Sequence, residues 1–319
     1  MRVHRSLSDV PAAPAGRALA LGTFDGVHLG HRRVIGSAVD RARERGLVAT
    51  VATFDPHPLQ VLRPQQPPRL LTTTDDKIHL ISDLGVDELV AIPFTPELSR
   101  QSAEDFCEQV LAGALDARSV SVGANFRFGH GAAGDAALLR ARPEFDTDVV
   151  ELVQHGGDSI SSSRIRSLLA EGDVARAAEL LAAPYAITGR VVEGDARGRE
   201  LGMPTANVEP PPDVLMPAPG IYAATATAEG LDGPVAAAVS IGVRPTFEDG
   251  DDLRLEAHLI GFDGDLYGRR LRLSFLERLR DEVRFDSAQE LVEQMKKDVE
   301  RAREVHRAGF ARPSVTWPR

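Results

Sequence analysis

The chain changes character near Pro184. Before it, apolar runs of strand length alternate with helical segments; after it, short alternating runs are divided by Gly, Pro and Asp. One core cannot serve both patterns, so two domains are expected, 1–185 and 186–319. In the first, "LVATVATF", "VDELVAIPF", "ARSVSVGANFRFG" and "FDTDVVELV" read as strands. Between them lie "RRVIGSAVDRARERG", "TTDDKIHLISDLG", "SAEDFCEQVLAGAL" and "GDAALLRAR", apolar at helical spacing. Such alternation predicts a parallel sheet with helices on both faces. In the second, five segments from "YAITGRVVEG" to "RRLRLSFLE" predict a small antiparallel barrel or sandwich. Ser287 and Glu290 form a capping box for a last helix, with Leu291, Met295, Val299 and Ala302 on one face.

Composition removes several functions. A net charge of −10 disfavours a nucleic-acid partner. No apolar run has transmembrane length, and the polar N-terminus lacks the apolar centre of a signal peptide. The single cysteine, Cys107, allows no internal disulfide and no Cys-rich zinc site, and reads as a small core residue. A cytoplasmic protein without a membrane partner is expected. Only Lys77, Lys296 and Lys297 are lysines among 37 basic residues. None follows a glycine-rich loop, so a Walker-type phosphate loop is absent. Nothing here fixes the oligomeric state.

Two stretches carry candidate chemistry in the first half. "ALALGTFDGVHLGH" ends an apolar run at Gly22 and places His28 and His31 where a helix begins. Read alone it is either a tight turn with two surface histidines or an anion site. In the second reading, helix N-terminal amides and imidazoles able to carry positive charge meet at a strand's carboxyl end. "ISSSRIR" offers hydroxyls with Arg164 and Arg166 at another helix start; alone it equally suits a capped surface helix.

The second half has its own candidates. Gly194, Gly198 and Gly202 are spaced by four, with Arg197 and Arg199 between, so backbone amides there can approach phosphates. Thr205 and Asn207 point to one side of an extended chain and are hard oxygen donors for Mg²⁺. A β-turn whose side chains bond their own backbone is the plainer alternative. In "LRLEAHLI", Glu256 falls opposite the core-facing Leu253, Leu255, Ala257 and Leu259. It is a solvated strand carboxylate or the base a kinase needs.

Taken together, "GVHLGH", "TFDPHP", "VGANFRFG" and "ISSSRIR" resemble the adenylyltransferase half of prokaryotic bifunctional riboflavin kinase/FMN adenylyltransferases, the FAD synthetases. "GRELGMPTAN", "PGIYAA", "SIGVRPTF" and "LRDEVRF" resemble the riboflavin kinase half. The resemblance implies a Rossmann-like nucleotidyltransferase domain followed by a six-stranded kinase barrel with a C-terminal helix. It implies riboflavin, FMN and ATP as substrates, with ATP as co-substrate and Mg²⁺ as cofactor. His28 and His31 become catalytic, and Gly22, Phe24, Asp25, Gly26, Asn125, Ser162, Ser163, Arg164 and Arg166 hold that site's ATP and phosphates. In the kinase, Glu256 becomes the base and Thr205 and Asn207 the metal residues. Gly194, Gly198, Arg199 and Gly202 hold phosphate, and flavin contacts fall around Arg280, Glu282 and Phe285. Ser159, Ser163 and Ser240 depart from the pattern. A monofunctional adenylyltransferase with a decayed barrel and a flavin-binding regulatory or storage protein remain alternatives. The class I aminoacyl-tRNA synthetases need a lysine-bearing loop that this chain lacks.

Overall fold

The computed structural model describes residues 1–194, 202–243 and 253–310. The chain forms two compact units, one ending at Ser162 and the other beginning at Ser163.

The first unit is built on a six-stranded sheet. Its strands are β1 (Arg2–His4), β2 (Arg17–Leu21), β3 (Val48–Asp55), β4 (Glu88–Pro93), β5 (Ala117–Gly123) and β8 (Asp146–Val150), in the order β1-β4-β3-β2-β5-β8. Every pair is parallel. All five residues of β2 are buried, as expected where both sheet faces are covered. One face holds Ala18, Ala20 and Val51 against Val34, Ile35 and Val39 of helix α1 (Leu29–Arg45) and Ile81 of α3 (Thr74–Ser82). The other holds Leu19, Leu21 and Phe54 against Phe106, Cys107, Val110 and Leu111.

Two local expectations change. "SAEDFCEQVLAGAL" starts as helix α5 (Ala103–Asp105) but winds as a π-helix over Phe106–Ala114, with the Leu115 amide donating to the Val110 carbonyl at 2.9 Å. Cys107 is fully buried there, and burial pushes its thiol up to about 11. The polar N-terminus supplies an edge strand that pattern alone misses. β1 pairs with β4, and Arg2 meets the buried Glu88 carboxylate at 2.6 Å.

Short helices α2 (Pro58–Leu62) and α4 (Pro96–Ser99) follow β3 and β4; β5 is followed by a small hairpin of β6 (Arg127–Phe128) and β7 (Gly134–Asp135), then helix α6 (Ala136–Arg140), and β8 by a hairpin of β9 (Gln154–His155) and β10 (Asp158–Ser159). The chain runs from β2 to β3 and β4 on one side and returns to β5 and β8 on the other. The crevice between the ends of β2 and β5 is therefore the topological switch point, where open α/β sheets bind ligands.

The second unit begins with α7 (Ser162–Ala170, but for its first residue) and α8 (Val174–Leu181), where the Asp173 carboxylate accepts from the Arg176 amide. A closed antiparallel barrel follows, β11-β12-β15-β14-β13-β16. Its strands are β11 (Ala186–Val192), β12 (Ala206–Glu209), β13 (Gly220–Ala228), β14 (Val235–Val243), β15 (Leu253–Leu259) and β16 (Arg270–Arg280). Alternation sends Tyr222, Val239, Leu255, Ala257, Leu273 and Phe275 inward. Helix α9 (Ala288–Phe310) packs on β13, β14 and β16. At its start the Glu290 amide donates to Ser287 Oγ at 3.2 Å. The contacts group α7 and α8 with the barrel, upstream of the boundary expected at 185/186.

Candidate active sites

At the end of β2 the chain turns sharply to enter α1. Phe24, Gly26 and Val27 take φ of 49°, 84° and 44°, a region that costs non-glycine residues energy. The turn is tied down from beneath. Asp25 is buried and its carboxylate accepts from the Leu71 and Thr72 amides at 2.9 and 3.1 Å. The Gly26 amide donates to Thr72 Oγ1, and Ser162 Oγ donates to the Asp25 carbonyl at 3.0 Å. The buried Lys77 ammonium donates to the Thr23 carbonyl at 2.8 Å.

His28 caps α1, its Nδ1 accepting from the His31 amide at 3.3 Å. With Nδ1 as acceptor, the proton of the neutral ring sits on Nε2. The two imidazoles stack with centroids 3.5 Å apart. The glycine between them leaves room for the ring: a Cβ on Gly30 would lie 3.1 Å from the His28 imidazole, which would have to shift by a few tenths of an ångström. Burial lowers His28 to about 4. It holds His31 well below the ordinary range, with His28 and Lys77 adding to the effect. Burial thus works against the positive charge that the imidazoles are able to carry. Both are neutral near pH 7, because charging either strips water from an ion and charging both would set two cations face to face.

A cavity of about 320 Å³ opens at the switch point. Gly22, Phe24, His28, His31, Asn125 and Ser162 line it together. Asp25 and Gly26 do not: their polar groups face the Thr72 segment, so they shape the loop from below. Ser163, Arg164 and Arg166 follow Ser162 within α7, on the second unit's side of the division. Ser163 is exposed and the two arginines half-buried.

In the barrel, β15 lies between β12 and β14, and Glu256 is opposite Asn207 on one side and Ser240 on the other. Directly opposed residues share a sheet face, so the three side chains form a row. Glu256 is about a third exposed (32%) and lies 3.6 Å from Arg254. Its neighbours Leu255 and Ala257 are buried, as the alternation predicts. Thr205, Ser240, Glu256, Arg280, Glu282 and Phe285 all line one cavity of about 360 Å³. Apolar residues from β13, β14 and α9, among them Ile221, Ala238, Met295 and Val299, complete its wall. A second cavity, of about 680 Å³, shares Thr205 and carries Phe262, Asp263, Asp265 and Tyr267. The His258 ring donates from Nδ1 to the Pro204 carbonyl at 2.8 Å, bracing the turn that presents Thr205.

Several expectations for this half need adjusting. Asn207 stands beside Glu256 in register but on neither cavity wall, and neither do Gly194 and Gly202. Gly194 serves Asn207 directly: a Cβ there would collide with the Asn207 amide group. Gly198 and Arg199 lie outside the described residues. Arg280 is not a free cation, since its Nε and Nη2 bond the buried Asp298 carboxylate of α9 at 3.1 and 2.7 Å. Among the described residues no group of three or more His, Cys, Asp or Glu could hold a metal ion.

Comparison with known proteins follows the same division. The FAD synthetase family model matches residues 10–164 and the riboflavin kinase model residues 181–306. The bifunctional riboflavin kinase/FMN adenylyltransferase of Escherichia coli (strain K12) is 36% identical over 318 residues, covering 98% of this chain and 100% of the relative. The chain belongs to this bifunctional family. The Bacillus subtilis (strain 168) member is 38% identical, covering 90% of this chain and 92% of its own. A solved Streptococcus pneumoniae structure, named as a macrolide-efflux protein, superposes with a TM-score of 0.85 at 31% identity, covering 94% of this chain and 98% of that one. That likeness extends the fold over both units. Among the described residues no helix is long and apolar enough to cross a membrane.

Proposed function

We propose that the barrel transfers the γ-phosphoryl group of ATP to the riboflavin 5′-hydroxyl, giving FMN and ADP, and that the parallel-sheet unit joins the FMN phosphate to the ATP α-phosphorus, giving FAD and pyrophosphate. The observation that carries this reading is the convergence of Glu256, Thr205 and the expected flavin residues on one largely apolar cavity. The isoalloxazine ring lies among Ile221, Ala238, Phe285 and Met295, and the nucleotide occupies the neighbouring cavity beyond Thr205. Glu256 accepts the 5′-hydroxyl proton as that oxygen attacks phosphorus. Thr205 and Asn207 supply a hydroxyl and an amide oxygen, too few for an all-protein cage but suited to a Mg²⁺ whose other ligands are phosphate and water. Room kept for the Asn207 amide by Gly194 supports that fit. When bound, such an ion would neutralise phosphate charge.

In the other unit the neutral His28 and His31 donate hydrogen bonds to the phosphates, and the start of α1 presents its dipole. The FMN phosphate itself is the nucleophile, so this site needs no base. Charge stabilisation and alignment of two anions account for its catalysis. The three substrates, and a chain with one buried thiol, fit a cytoplasmic location.

Incubation of the protein with riboflavin and Mg·ATP, followed by separation of the flavins, tests the reading. FMN and FAD should both appear. FAD from added FMN only would indicate a silent barrel, and retention of unchanged flavin would indicate a binding protein.

A further inference from the structure

The adenylyl-transfer cavity must hold two anions close together, yet its histidines are neutral. Among the described residues that line it, Arg127 is the one side chain with permanent positive charge, and Glu151 on the same wall opposes anions. We infer that Arg127 binds the phosphate monoester of FMN during adenylyl transfer, an assignment that rests on the function proposed for this unit.

The hairpin is built to present this residue. Phe128 is buried and touches the rings of Phe106 and Phe126, with centroids 5.8 and 5.6 Å away. Strand alternation then turns Arg127 to the opposite side, where it is exposed and lines the cavity. Its Nη1 meets Asp135 Oδ2 at 3.3 Å across the hairpin. A single contact of that kind is weak at an exposed site. It sets the direction of the guanidinium and leaves a fork able to take a phosphate by two parallel hydrogen bonds.

Topology decides which anion. The glycine turn and the start of α1 follow β2, on one side of the switch point, and suit the polyphosphate of ATP. Arg127 follows β5, on the other side, next to Phe126, Val150 and Leu152. Apolar surface beside a lone cation matches a flavin ring carrying one phosphate better than a triphosphate.

Kinetics of FAD formation by the full chain test this. Arg127→Ala should raise the KM for FMN by about 10–100-fold, the loss expected for a charge-assisted hydrogen-bonded contact. The KM for ATP should stay within about threefold and riboflavin phosphorylation should be unchanged. Arg127→Lys should recover part of the loss, because a point charge survives without the fork. Asp135→Asn keeps the acceptor that caps α6 and removes the ion pair, so a merely structural Arg127 would give the same KM change in this variant. An unmoved KM for FMN, a rise confined to ATP, or matching behaviour of Arg127→Ala and Asp135→Asn would each overturn the assignment. A parent protein that makes no FAD from FMN would remove the adenylyl-transfer function and this inference with it. An active parent with the first outcome removes the inference alone.

Discussion

The imidazole of His28 does two jobs that one substitution separates. Its Nδ1 caps α1, and its ring faces the cavity. His28→Asn should retain the cap, since asparagine is an equally good one, and should slow FMN-to-FAD conversion about 100-fold or more while riboflavin phosphorylation continues. The same variant reports on pH. His28 titrates near 4 when folded and near 6.5 when unfolded. Between those values the unfolded chain binds more protons. The contribution is therefore intact above pH 6.5 and is lost as pH falls towards 4, by about 3 kcal/mol in full. Urea titrations at pH 7 and pH 5 should show a smaller acid destabilisation for His28→Asn than for the parent. Glu256 gives the complementary case. It is partly exposed and outside the barrel core, so Glu256→Gln should change stability by under about 0.5 kcal/mol. FMN formation should fall by about 10²–10⁴-fold, with FMN-to-FAD conversion unaffected. Kinase turnover within a few-fold of the parent would return Glu256 to the role of an ordinary strand carboxylate.

Between elements, the joint that matters most to the barrel cavity is β16 to α9. Arg280 ends the strand, Asp298 is buried in the helix, and Gln294 adds a further hydrogen bond to the carboxylate at 2.9 Å. α9 also supplies Leu291, Met295 and Val299 to the cavity wall. Asp298→Asn leaves the guanidinium without its counter-charge. It should cost about 2–3 kcal/mol, below the range for a fully buried pair because Arg280 keeps some exposure. Riboflavin KM should rise several-fold with little change in kcat, as read by steady-state kinetics beside thermal melts.

At the scale of the molecule, each half carries its own core and its own cavity. Within the second unit α7 and α8 are part of the barrel's packing: the Ala218 amide donates to the Leu169 carbonyl at 2.9 Å, and α8 lies on β16. Val174, Ala177, Leu180 and Leu181 are buried on α8. A chain of residues 163–319 should therefore fold and phosphorylate riboflavin. A chain of 186–319 should melt at a clearly lower temperature, because removing α7 and α8 uncovers apolar barrel surface. Equal melting temperatures would place the functional boundary at 185/186.

Sequence alone determined what depends on neighbours in the chain. Periods of two and 3.6 separated strands from helices, and thereby a parallel sheet from a barrel. The spacing of His28, Gly30 and His31 is legible because a helix cap is a local structure. Alternation through Leu255 and Ala257 was enough to turn Glu256 away from the core. Tertiary structure decided the rest. Lys77 under Thr23, Asp25 turned towards Leu71, and Arg280 committed to Asp298 each join residues far apart in the chain, which no period encodes. The barrel cavity draws most of its apolar wall from β13, β14, α9 and the segment after β16, stretches whose apolar residues look like ordinary core. The charge of the histidines was the most misleading local signal. A helix N-cap reads directly from the sequence, but the cost of protonating it is set by how much water the surrounding fold removes.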